Sequence, residues 1–158
     1  DVSREPMFRH ARLGMGYLSQ EPSVFQRMSV RDNLMAILET RDLSREQQND
    51  RCNELMSQFG LEHKAKETAR TCSGGERRRL EIARAMVTEP TMLLLDEPFA
   101  AVDKEKRLEL YALVKELRTK YHLTILFITH EMNDALELAD RIYSLDAGRV
   151  CEMEAAQC

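Results

Sequence analysis

Apolar positions along this chain change their period repeatedly, and each change marks an element. Leu13 to Ser19 is a short apolar run with two glycines, read as a strand that ends at Gln20. Gln20 to Met28 carries Pro22 and little periodicity, the pattern of a loop. From Ser29 the period lengthens: Val30, Leu34, Ile37 and Leu38 fall on one helical face, and Ser29 is placed to cap it. Ser44 opens a second helix, with Gln47 completing a capping box, and Gly60 supplies its left-handed stop. After Ser73, the positions Leu80, Ile82, Ala83, Ala85 and Met86 trace a third helix that ends before Pro90.

Met92 to Leu95 is apolar without alternation, which predicts a strand buried on both faces, and Leu123 to Ile128 predicts a second. Between them Lys104 to Lys120 reads as a helix, with Leu108, Tyr111, Leu113, Val114 and Leu117 near helical spacing. Met132 to Ala139 makes a last helix and Ile142 to Leu145 a strand, before the turn Asp146-Ala147-Gly148-Arg149 and a final strand from Val150. Strand–helix–strand alternation predicts an α/β fold with a parallel sheet and helices on its faces. The all-helical stretch from Ser29 breaks that rhythm. We place a helical subdomain at about 29–87, inserted between core segments 1–28 and 88–158.

Composition narrows the classes. A chain of 158 residues with 43% hydrophobic content is long enough for one domain with a core. Its formal charge of −4 argues against a general nucleic-acid binder. No apolar run approaches the ~18 residues a membrane span needs, and Asp1 to Arg12 is too polar for a signal peptide. The expectation is a cytoplasmic chain whose membrane contact runs through a partner. Cys52, Cys72, Cys151 and Cys158 form no C-x-x-C pair and have no His at ligand spacing, so free thiols are expected.

Three groups of residues carry candidate chemistry. Asp96 and Glu97 end an apolar strand, the place where parallel α/β sheets bind ligands. Asp96 suits Mg2+ held through water, and Glu97 suits a general base aimed at an attacking water; a solvent-facing acidic turn is the plain alternative. Ser73-Gly74-Gly75 opens a helix whose exposed amides and dipole suit a terminal phosphate, or simply a serine N-cap. Gln20 and His130 each follow an apolar strand and could project toward the same phosphates. Asp103 stands where it could cap the helix from Lys104. Arg77, Arg78 and Arg79 read mostly as a solvated basic face.

The order of Gln20, Cys72-Ser73-Gly74-Gly75-Glu76, Leu93-Leu94-Leu95-Asp96-Glu97-Pro98 and Ile128-Thr129-His130 resembles the ATP-binding cassette (ABC) ATPases, from about Leu13 to Cys151. The offsets from Gln20 to Ser73, from Ser73 to Asp96 and from Glu97 to His130 fit the cassette plan. The resemblance implies a P-loop NTPase-like parallel sheet, ATP and Mg2+ as cofactors, and ATP hydrolysis coupled to transport. It implies Glu97 as base, His130 as the switch histidine that binds the γ-phosphate, and Gln20 as the glutamine that senses Mg2+ and water. It implies that Ser73, Gly74, Gly75 and Glu76 contact ATP held by a second ATPase subunit, with Asp103 crossing the same interface. The family's commonest signature is L-S-G-G-Q; here Cys72 and Glu76 depart from it.

Gly16-Tyr17-Leu18-Ser19-Gln20-Glu21, Ser29-Val30-Arg31-Asp32-Asn33-Leu34 and Asn53-Glu54-Leu55-Met56 are most similar to the ATPase subunits of lipopolysaccharide exporters. Phe25 and Arg27 are then the residues that implies for contact with a transmembrane permease subunit, while Gln26 stands where an arginine is usual. Thr129-His130-Glu131-Met132-Asn133-Asp134-Ala135 resembles amino-acid importers and lipoprotein exporters as much. No G-x-x-x-x-G-K-[ST] phosphate loop occurs in the sequence, so the expectation is a partial cassette, inactive alone, whose longer parent hydrolyses ATP. The alternative is a dimerising half-site without its own catalysis. DNA-repair cassettes are set aside because no room remains for their coiled coil between Gln20 and Ser73.

Overall fold

The computed structural model describes residues 13–100 and 102–153. They pack as two compact units, one running through Ile128 and one beginning at Thr129.

The first unit is built on a three-stranded parallel sheet in the order β1 (Met15–Leu18), β2 (Met92–Asp96), β3 (Thr124–Ile128). Leu18 pairs with Leu95, and Asp96 with Ile128, so all three strands end at one edge. Between β1 and β2 lie α1 (Val30–Leu38), α2 (Arg45–Gln58) and α3 (Gly74–Met86), with short 3-10 turns at Glu62–Lys64 and Ala69–Thr71. Helix α4 (Lys104–Tyr121) is the crossover from β2 to β3. The fold is α/β and P-loop NTPase-like.

Local sequence explains the helix ends. The Asp32 N–H donates to the Ser29 hydroxyl at 3.0 Å, capping α1. At α2 the Gln47 N–H donates to Ser44 Oγ and the Ser44 N–H to Gln47 Oε1, a full capping box. Gly60 follows α2 at φ +63, a conformation that an L side chain resists. Gly16 is needed for another reason. A Cβ there would meet Leu93 Cδ2 at 2.6 Å, so β1 lies against β2 only because that position is bare.

The core lies on one face of the sheet. Leu18, Leu93 and Leu95 are buried with Leu34, Leu38, Leu55, Phe59, Leu80 and Ile82. Phe99, also buried, sets its ring edge-on to Tyr111 of α4 at 4.9 Å and to Phe127 of β3 at 6.4 Å. Two expectations are corrected here. The apolar runs at Met92–Leu95 and Leu123–Ile128 predict strands buried on both faces, yet burial alternates along each. Tyr17, Leu126 and Ile128, on the opposite face, are 44%, 49% and 54% exposed. Both faces of a strand are buried only where helices cover both, and in this unit the cover reaches one. In α4, Leu108 is exposed and Leu110 is buried in its place, a shift of half a turn in the inward face.

The second unit holds α5 (Met132–Leu138) and an antiparallel hairpin of β4 (Ile142–Asp146) and β5 (Arg149–Met153). Its turn takes Ala147 and Gly148 through positive φ, at 46 and 78. No helix among the described residues is long and apolar enough to cross a membrane.

Candidate nucleotide site

Asp96 closes β2, the central strand, and Glu97 follows it at the sheet's C-terminal edge. Glu97 has φ +44, the left-handed region that non-glycine residues seldom take. Its N–H donates to the Ile128 carbonyl at 2.9 Å, so the turn is stitched to the end of β3. Phe99 anchors the other side of the turn in the core. Both acidic side chains are half-buried.

Gln20 lies two positions past β1, exposed at the same edge. The segment that follows it is held from several sides. The Ser23 N–H donates to Glu81 Oε1 at 3.2 Å, and Arg84 donates to the Ser23 carbonyl. Asn33, fully buried, accepts from the Phe25 N–H at 2.8 Å and donates to the Phe25 and Ser29 carbonyls. The Arg70 N–H donates to the Gln26 carbonyl and the Ala69 N–H to that of Met28. Phe25 stays 48% exposed, with the Arg84 guanidinium 4.6 Å from its ring centroid. Arg27 is exposed beside it. Burial holds the Arg84 guanidinium below its ordinary pKa, with Glu81 opposing.

Ser73 caps α3 through a second capping box. The Glu76 N–H donates to Ser73 Oγ at 3.2 Å and the Ser73 N–H to Glu76 Oε2 at 2.8 Å. The other Glu76 oxygen lies 3.1 Å from His63 Nε2. Burial works to raise the Glu76 pKa, but the Ser73 N–H, His63 and the Ser73 hydroxyl outweigh it and hold the carboxyl below its usual range. Ser73 and Gly74 are exposed. A Cβ on Gly75 would sit 3.5 Å from Lys106 Cβ, an ordinary contact, so packing within this subunit does not itself demand glycine there.

Asp103 occupies the N-cap position of α4, but its side chain makes no capping bond. His130 belongs to the second unit, where it is exposed and its Nε2 lies 3.6 Å from Glu131 Oε1. Beside it the Thr129 hydroxyl accepts from the Glu131 N–H at 3.0 Å and donates to Asp134 at 3.3 Å. Thus Gln20, Asp96 and Glu97 share one sheet edge, and Ser73 to Glu76 form one helix start.

The basic run needs correction. Arg77 and Arg79 are partly exposed, but Arg78 is buried, and so is Glu81, to which it is paired at 2.8 Å. The sequence carried a signal for this. Arg78 stands four residues before Ile82, on the inward face of α3, and three before Glu81. Asn33, within the apolar stripe of α1, had no comparable signal.

The ABC transporter family model matches residues 1–100 of this chain. The chain is 46% identical over 150 residues to an uncharacterized ABC transporter ATP-binding protein of Rhizobium meliloti, covering 95% of this chain and 55% of that one. It is 45% identical over 151 residues to the lipopolysaccharide export system ATP-binding protein LptB of Escherichia coli, covering 95% and 62%. It therefore spans somewhat over half the length of these relatives. Among solved structures it resembles cbiO1 of Clostridium perfringens, part of the ABC transporter complex cbiONQ, with a TM-score of 0.85 and 27% identity over 96% of this chain and 60% of that one. A dimeric ATP-binding cassette in a post-hydrolysis state with ADP and Pi gives a TM-score of 0.74 and 26% identity, over 89% and 63%. With the acidic pair closing the central strand and the serine–glycine helix start both in place, the chain belongs to the ABC transporter family.

Proposed function

We propose that this chain supplies the hydrolytic edge and the signature helix of an ATP hydrolase subunit that drives lipid export. The observation that carries the reading is the Asp96–Glu97 turn: an acidic pair at the end of the central parallel strand, its second member held at positive φ. The donor chemistry fits Mg2+. Among the described residues no three His, Cys, Asp or Glu side chains cluster, and Mg2+ needs no such cage, being held by one or two carboxylates with phosphates and water. Asp96 would hold it, and the ion, when bound, offsets charge on the phosphates. Glu97 would take the proton of the attacking water, Gln20 would position that water, and the family resemblance assigns His130 to the terminal phosphate.

Ser73, Gly74, Gly75, Glu76 and Asp103 face the nucleotide of a second, identical subunit in this reading. Gly75 fits the reading: packing around it does not require a glycine, and a bare backbone there permits close approach from outside. We assign residues 29–87 to a helical subdomain and the rest to the core. Phe25 and Arg27 contact the transmembrane permease, which places the protein at the cytoplasmic face of the membrane. Lipopolysaccharide or a related lipid is the proposed cargo, supported by the likeness to LptB over 95% of this chain.

The test is Glu97→Gln in the full-length protein that carries this segment. Hydrolysis should fall at least ~100-fold while Mg-ATP binding stays within ~3-fold. Near-normal turnover would sink the assignment.

A further inference from the structure

Arg78 is a charged side chain on the core-facing side of a helix, where leucine or methionine would fill the space without desolvating a guanidinium. It is 7% exposed, and it is fully used. Its Nε donates to the Pro98 carbonyl at 2.8 Å, and its Nη2 to the carbonyls of Asp96 at 2.9 Å and Glu97 at 3.1 Å. Its Nη1 donates to the Ser19 carbonyl at 3.1 Å and to Glu81 Oε2 at 2.8 Å. The other oxygen of Glu81 accepts from the Ser23 N–H at 3.2 Å. One planar fork thus grips three successive carbonyls of the acidic turn and the residue just before Gln20. Its buried partner grips the loop three residues beyond Gln20.

The consequence for Glu97 is geometric. Its N–H is fixed to Ile128 and its C=O to Arg78, so both flanking peptide planes are pinned and the left-handed φ is maintained. With the backbone set, the direction of the Cα–Cβ bond is set. We propose that Arg78 and Glu81 are a positioning pair: Arg78 aims the Glu97 carboxylate, and Glu81 makes that aim depend on the loop from Ser19 to Phe25. This rests on the proposed function for what Glu97 does, while the clamp rests on the contacts alone. A lysine cannot substitute, because one ammonium cannot span four carbonyls in a plane.

The test uses the full-length protein with Arg78→Lys and, as a milder change, Glu81→Gln. Amide exchange is read at Ser23, Glu97 and Ala100, and kcat and KM for ATP are measured per folded molecule. Arg78→Lys should speed exchange at Ser23 and Glu97 together, by about tenfold, and lower kcat about tenfold with KM within about twofold. Glu81→Gln keeps the carbonyl contacts but loses one acceptor, so exchange should rise mainly at Ser23 and, through Arg78, by a smaller factor at Glu97. Wild-type exchange at both sites in Arg78→Lys would overturn the clamp, as would a lower melting point with kcat intact. If the wild-type protein hydrolyses no ATP, the proposed function fails, and the exchange pattern still decides the clamp.

Discussion

Glu76 shows how much one side chain can do at a helix start. It accepts a hydrogen bond from the Ser73 N–H, and its other oxygen lies 3.1 Å from His63 Nε2 of the Glu62–Lys64 turn. Because its folded pKa is depressed, its contribution is fully present above the unfolded carboxylate value of ~4.3 and is lost as pH falls through the folded value. Glu76→Ala should therefore destabilise the fold by about 1 kcal/mol at neutral pH, the usual size of a lost cap. The difference should vanish in acid; urea titrations of both proteins at neutral and acid pH measure it, and a pH-independent gap would refute the cap. Cysteine reactivity is a second residue-scale expectation. Cys52 and Cys72 are buried, and burial pushes both thiols up, whereas Cys151 is exposed. A thiol reagent should label Cys151 in the native state and reach Cys52 and Cys72 only on unfolding. The capping box at Ser44 was legible in the sequence because donor and acceptor lie three residues apart, whereas at Ser73 only the N-cap was read and the structure adds Glu76 at the same spacing. For Arg78 only the inward position and the spacing to Glu81 were legible; its grip on the carbonyls was not, because they lie 18 to 59 residues away.

At the scale of elements, helix limits followed from caps and period, while strand burial did not. A run such as Leu93-Leu94-Leu95 is the same string whether one face is covered or two, and only the tertiary arrangement separates them. The tight approach of β1 to β2 was equally hidden, since nothing in the sequence reports that Leu93 lies over Gly16. Gly16→Val should cost about 1–3 kcal/mol, because its Cβ would fall 2.6 Å from Leu93 and must displace a buried side chain. Equilibrium unfolding measures this, and a neutral result would mean that β1 shifts freely. The loop after β1 behaves as an element too, held by Asn33, Glu81 and Arg84 with Phe25 outermost. Phe25→Ala removes an exposed ring and none of those backbone bonds. It should weaken capture of the permease while leaving the melting temperature within ~2 °C; unchanged co-purification would refute the docking role.

For the whole molecule, the question is where nucleotide affinity resides. In the proposed site, the residues of this chain supply a metal-holding carboxylate, a base and a helix start, and these act on a nucleotide already anchored. The anchoring of β- and γ-phosphates in such enzymes falls to a cradle of amides with a lysine, and no G-x-x-x-x-G-K-[ST] run occurs in these 158 residues. The net charge of −4 gives no general attraction for a polyanion to compensate. A Mg-ATP titration of the 158-residue chain bearing Glu97→Gln should therefore show no binding below about 1 mM, the upper range of ordinary substrate affinities. The full-length protein with the same substitution should bind with an affinity at least ~100-fold tighter, the loss expected on removing several charge-assisted phosphate contacts. Micromolar binding by the short chain would place the phosphate anchor among its own residues, with Ser73 to Gly75 and the flanking arginines the first to substitute. Equal affinities in the two proteins would then turn the dimer argument around, since the helix start would be holding nucleotide within its own subunit.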